Sequence, residues 1–227
     1  MKERFKIQDS GFRISERLLL LIIFLLLAAY SLLVAGFVHA ADNINSKAAV
    51  VMDSSTGRVL YGKNPNLKLP PASTTKLMTA MVALDKLSLD DKVIISEKAA
   101  NISPVKVNFR VGERVSVDTL LHAALIKSAN DAAYSLAEAA AGTEEEFVEL
   151  MNQKAIALDM SDTRFINSTG LPGKGQYISA YDLSRMMRQA LKYPAIKEII
   201  NIRTDRIYTE DGRKILSGAI MRVFASI

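Results

Sequence analysis

Leu18 to Val38 is a run of 21 residues without a single charge, and it decides what the rest of the chain can be. It has no polar face for a water-soluble helix to turn outward. Basic residues precede it: Lys2, Arg4, Lys6, Arg13 and Arg17, set against Glu3, Asp9 and Glu16. It closes on Val38-His39-Ala40-Ala41, residues small or apolar where a signal peptidase reads them. The pattern predicts a secretory signal cut after Ala40. About 20 apolar residues also suffice to span a bilayer, so an uncleaved anchor is the alternative, and only then would this segment hold the protein to a membrane. On either reading the basic end stays cytoplasmic and the remainder is exported to a periplasmic or other extracytoplasmic space. Residues 1–40 are therefore set apart from a folded part at 41–227, and His39 is set apart from any site.

The 227 residues are 49% hydrophobic and 23% charged, enough for one domain with a real core. Cysteine is absent, which excludes a disulfide framework and a thiolate nucleophile. With His39 and His122 as the only histidines, a zinc site is not supported, and no cofactor is expected. The net charge is +5, of which the first seventeen residues carry +2, leaving +3 for the remainder. That excess is too mild to imply a nucleic-acid partner.

Short β-like runs open the exported part, Ala48 to Met52 and Val59 to Tyr61. The turn-rich Asp53-Ser54-Ser55-Thr56-Gly57-Arg58 between them predicts a hairpin. Asn64 to Ala72 holds three prolines and reads as irregular. From Ser73 to Leu84 the residues Leu77, Met78, Met81 and Val82 recur at helical spacing. Lys92 to Ile95 is strand-like. Helices are predicted over Asp118–Ile126, Asp131–Ala141 stopped by Gly142, Glu144–Leu158 and Tyr181–Leu191. Arg206–Thr209 and Lys214–Leu216, around Glu210-Asp211-Gly212-Arg213, predict a second hairpin. Strands, then helices, then strands describe a mixed domain with a helical insertion between sheet-forming ends.

Ser73-Thr74-Thr75-Lys76 puts a hydroxyl and an amine on one helix face, because residues three apart are neighbours there. Ser128-Ala129-Asn130 adds a second hydroxyl and a carboxamide. A serine hydroxyl is a poor nucleophile until a base takes its proton. His122 lies in the apolar run Leu120 to Leu125 and reads as a core or partly exposed helix histidine. A lysine serves instead if its pKa falls from about 10.4 toward 7, at a cost of roughly 4 kcal/mol to the charged form. Ser103-Pro104-Val105-Lys106 has the same spacing as Ser73 to Lys76, but it lacks helical periodicity and reads as a loop. Judged alone, Ser73 reads better as a plain helix N-cap, and Ser128 to Asp131 as a linker and cap. A serine at a helix N-terminus also has outward N–H groups suited to a developing oxyanion.

The wider text resembles one family. Pro71 to Ala80 looks like the active-site segment of the low-molecular-mass penicillin-binding proteins, the D-alanyl-D-alanine carboxypeptidases. Leu125 to Ala133 looks like their second motif. Asp53 to Tyr61, Met151-Asn152, Phe165 to Pro172 and Ser179 to Leu183 fit the same family in order, so the resemblance runs from about Ala48 to Leu216. It implies an α/β fold of the α+β type, β-lactamase/transpeptidase-like, an antiparallel sheet with a helical subdomain. It implies Ser73 as nucleophile, Lys76 as general base, Ser128 as proton relay to the leaving amine, and Asn130 as a substrate-binding residue that helps fix the lysine. The reaction implied removes the terminal D-alanine of a peptidoglycan pentapeptide, with β-lactams acylating the same serine. A class A β-lactamase is the alternative enzyme, but Glu149-Leu150-Met151-Asn152 matches its deacylating loop poorly.

The family's third motif, a K-T-G triplet, does not occur in these 227 residues; Ser217-Gly218 would put Leu216 where the cation belongs. The reading therefore expects a chain truncated before its last central strands, with an unpaired sheet edge, marginal stability and little activity, an inactive remnant of the fold.

Overall fold

The computed structural model describes residues 16–36, 44–202, 208 and 212–214. The chain divides into two compact units, Met1–Ser46 and Lys47–Ile227. In the first, helix α1 spans Glu16–Gly36. Its side chains are described from Leu18 to Ala28, and Leu18 to Leu27 are exposed.

The second unit begins with the predicted hairpin. Strand β1, Ala49–Met52, pairs antiparallel with β2, Val59–Lys63, with a register slip between Val51 and Met52. Asp53 shapes the turn: one carboxylate oxygen accepts from Ser55 N (3.0 Å) and Oγ (2.6 Å) and from Thr56 N (2.7 Å) and Oγ1 (2.9 Å). These bonds, the Ser55 hydroxyl first, hold the Asp53 pKa down to about 2. Arg188 grips the same turn, donating to the Ser54 and Ser55 carbonyls. Among the described residues β1 and β2 pair with each other, and Val51, Val59 and Leu60 are exposed.

The Pro-rich approach ends in a 3-10 turn, Ala72–Thr74, that runs directly into α2, Thr75–Leu84. Every residue of α2 from Thr75 to Ala83 is buried, because it packs against helices on all sides. Those neighbours are α4 (Val117–Ile126), α5 (Asn130–Ala141), α6 (Glu144–Ala157) and α7 (Ala180–Ala190). A helix apolar all round is stable only in such a position. Side-chain oxygens of Ser116, Thr143 and Ser179 cap the starts of α4, α6 and α7. Gly142, at φ +87°, ends α5 as predicted.

Strand β3, Lys92–Ile94, falls where it was predicted, whereas its antiparallel partner β4, Arg114–Ser116, was not predicted, a three-residue strand too short to show alternation. Nor were two helices predicted: α3, Glu97–Asn101, is a single capped turn, and α8, Pro194–Ile200, is started by its proline. Of the second predicted hairpin, an antiparallel bridge Tyr208↔Lys214 and the turn residues Gly212 and Arg213 are described; its other residues, and Ser217 to Ile227, lie outside the described residues.

Candidate active site

Ser73 sits in the middle of the 3-10 turn. That turn consumes backbone donors early, with Thr74 N–H bonding the Pro71 carbonyl at 3.2 Å. Ser73 is not an N-cap: that position falls to Pro71 for the turn and Thr74 for α2, and neither makes a side-chain capping bond. The Ser73 oxygen instead accepts from the Ser128 hydroxyl at 2.7 Å. Two residues 55 apart in sequence are thus brought together by the packing of α2 against α4 and α5. The backbone is strained on both sides of the contact, for Ala72 lies at φ +47° and Ser128 at φ +57°. Such conformations cost about 1–3 kcal/mol each and persist only where surrounding contacts impose them.

Lys76 follows on the first turn of α2, on the face of Ser73. It is only 2% exposed. Burial lowers its amine from an ordinary 10.5 to about 8, with no charged partner involved. The amine donates to the Thr169 carbonyl at 2.6 Å, and no described bond joins it to Ser73, Ser128 or Asn130. The Thr79 hydroxyl donates to the Ser168 carbonyl at 2.6 Å. The loop Phe165 to Leu171 is therefore the bed of α2. Asn152 fixes its start through both Phe165 N and O, at 2.9 Å each. Gly170, at φ +81°, lets it approach: a Cβ there would fall 1.8 Å from the Ala72 carbonyl oxygen.

Asn130 ties the start of α5 to the loop at 103–109. It is buried, its carboxamide nitrogen donates to the Pro104 carbonyl at 2.6 Å, and its N–H bonds the Val105 carbonyl at 2.8 Å. Asp131 continues the attachment, accepting from Val107 N and Phe109 N. Burial pushes its carboxyl upward against those bonds. Ser103 and Lys106 lie in that loop, as predicted, and Lys106 donates to the Ala100 carbonyl. His122 stands on α4 with Nε2 3.6 Å from Asp118, one turn earlier on the same helix. Among the described residues no group of histidine, cysteine, aspartate and glutamate could hold a metal.

The family described as D-alanyl-D-alanine carboxypeptidase matches residues 35–216. The chain belongs to this family. It is 41% identical over 174 residues to the D-alanyl-D-alanine carboxypeptidase DacF of Bacillus subtilis, covering 74% of this chain and 45% of the relative. It is 42% identical over 159 residues to a D-alanyl-D-alanine endopeptidase of Pseudomonas aeruginosa, covering 69% and 51%. The crystal structure of the carboxypeptidase DacD from Francisella tularensis superposes with a TM-score of 0.72 at 34% identity, over 80% of this chain and 45% of that one. The chain spans about half the length of the curated relatives it matches. The carboxypeptidase fold, mixed helix and small antiparallel sheets, is thus the one its sequence implied. What escaped sequence reading was the part played by Thr169, Ser168 and Gly170 as the seat of Lys76. Their segment, Phe165 to Pro172, was visible as a family motif; its contact with α2 had no local signal.

Proposed function

We propose that the chain carries the acylating side of a serine D-alanyl-D-alanine carboxypeptidase that acts on peptidoglycan stem peptides and is acylated by β-lactams. One observation carries this: two serine hydroxyls 2.7 Å apart beside a buried lysine on the adjoining turn. Ser73 and Ser128 share this hydrogen bond, and Lys76 in its neutral form takes the Ser73 proton as the oxygen attacks. Ser73 Oγ attacks the carbonyl of the penultimate D-alanine, and an acyl-ester forms as the C–N bond breaks. Ser128 passes the proton from Lys76 to the departing D-alanine amine, and water then hydrolyses the ester. In a β-lactam the ring amide is the bond that opens. Asn130, anchored through the Pro104 carbonyl, is the carboxamide assigned to substrate binding. We take residues 1–40 as a signal for export and 41–227 as the carboxypeptidase part, working outside the cytoplasm, on the strength of the uncharged run and its basic flank.

The Pseudomonas aeruginosa endopeptidase supports a second reading, cleavage of a D-alanine-containing crosslink, since it is 42% identical where the Bacillus subtilis carboxypeptidase is 41% identical. A class A β-lactamase reading has no such support, because Glu149 is exposed along continuous α6. The test joins residues 1–216 to the C-terminal part of the Bacillus subtilis relative and assays a D-alanyl-D-alanine peptide beside a crosslinked dimer. Release of free D-alanine, lost in Ser73→Ala, is the expected result. Cleavage of the dimer alone would favour the endopeptidase, and no cleavage of either would overturn the proposal.

A further inference from the structure

Neither serine holds Lys76. The Thr169 carbonyl does so, receiving the amine at 2.6 Å, and the Ser168 carbonyl beside it receives the Thr79 hydroxyl one turn on, also at 2.6 Å. That loop is fixed in turn from its far side. The Ser168 N–H and the Ser168 hydroxyl both converge on one oxygen, Glu144 Oε1, at 2.8 and 2.6 Å. Ser168 and Thr169 are as buried as the lysine. Glu144 is the first residue of α6, where free backbone amides favour a negative side chain, and the Thr143 cap orders the same turn. An unbroken series of short contacts therefore runs from the start of α6, through Ser168 and Thr169, to the amine.

We propose that Glu144 is a positioning residue for Lys76: by taking both Ser168 donors it holds the Thr169 carbonyl against the amine and keeps water away. Its consequence for the reaction rests on the reading of Lys76 as the base. Glu144 touches none of the reacting atoms; it acts through two residues of backbone. Charge-assisted bonds of this kind are roughly twice as strong as neutral ones, which suits a carboxylate rather than an amide at this position. The groups around Glu144 are the Tyr134 phenol of α5, pushed up by burial and then by Glu144, Glu138 and Glu145. No charged side chain contributes to Lys76, so the seal around its amine is what sets its behaviour.

The test is a lysine NMR titration of the full chain, with Lys76 assigned by its loss in Lys76→Arg. The wild-type amine is expected to titrate near 8. Glu144→Ala frees the loop, admits water and raises that midpoint by about one pH unit. Glu144→Gln keeps one acceptor for Ser168 and raises it by about half as much. Two controls stay at the wild-type value: Glu145→Ala, an exposed neighbour in the same turn, and Ile199→Ala, which destabilises α8 away from the loop. An unmoved midpoint in either folded Glu144 variant would overturn the proposal, as would an equal rise in either control. The titration reads the amine without turnover, so a failure of Ser73 to acylate would overturn the functional reading and leave this result standing.

Discussion

Lys76 is where burial and chemistry meet. Its folded pKa, about 8, lies below its unfolded value of 10.5. Between those values the unfolded chain binds a proton that the folded chain does not, so stability rises with pH across that window. Below pH 8 the whole cost is present, roughly 3 kcal/mol. Two outcomes follow. Acylation by penicillin should increase with pH to a plateau above about 8, followed by stopped-flow. Lys76→Met should abolish acylation yet raise unfolding free energy by about 1 kcal/mol, the relief of the buried charge being partly offset by an unpaired Thr169 carbonyl. Gly170 makes the opposite case. Gly170→Ala sets a methyl on the Ala72 carbonyl at a positive φ, and should cost about 3 kcal/mol or more by urea unfolding while slowing acylation through the displaced Ser73 turn.

At the scale of elements, the helices were legible because each has a long apolar face and a capping residue: α4, α5, α6 and α7 begin and end within one or two residues of their predicted bounds. The first hairpin was legible from its turn, where Asp53 and Gly57 do what those residues do best. Strand β4 and helix α3 were not, since three to five residues hold too little pattern. The site was legible as a set of residues but not as a mechanism of support. The spacing of Ser73 and Lys76 is local, whereas the bond from Lys76 to Thr169 spans 93 positions and involves a backbone carbonyl, which any residue supplies. The loop at 103–109 is a similar case, for its attachment to Asn130 and Asp131 leaves no local trace. Asp131→Ala should strand the Val107 and Phe109 N–H groups, costing about 2–4 kcal/mol. Limited proteolysis should then cut first within 103–111; a cut pattern like that of the wild type would refute the anchoring role.

Within the unit Lys47–Ile227, the described residues form a helical body around α2 with two small sheets, and the fold is that of the family. A second tie joins the body at the other end of α2, where Lys154 bonds Asp85 at 2.6 Å and Tyr193 at 2.9 Å, and Tyr193 bonds Asp85 at 2.7 Å. Helix α2 is thus fixed at both ends, by this cluster and by the loop under Lys76, which is what a serine held in a strained turn requires. The central claim is that Ser73, activated by Lys76, is the residue that becomes acylated. Peptide mapping by mass spectrometry after penicillin treatment of the protein joined at residue 216 tests it most directly. The account predicts one adduct, on the peptide containing Ser73, absent from Ser73→Ala and from Lys76→Arg, whose side chain stays charged at any working pH. An adduct on Ser103 or Ser128, or one that survives Lys76→Arg, would contradict it.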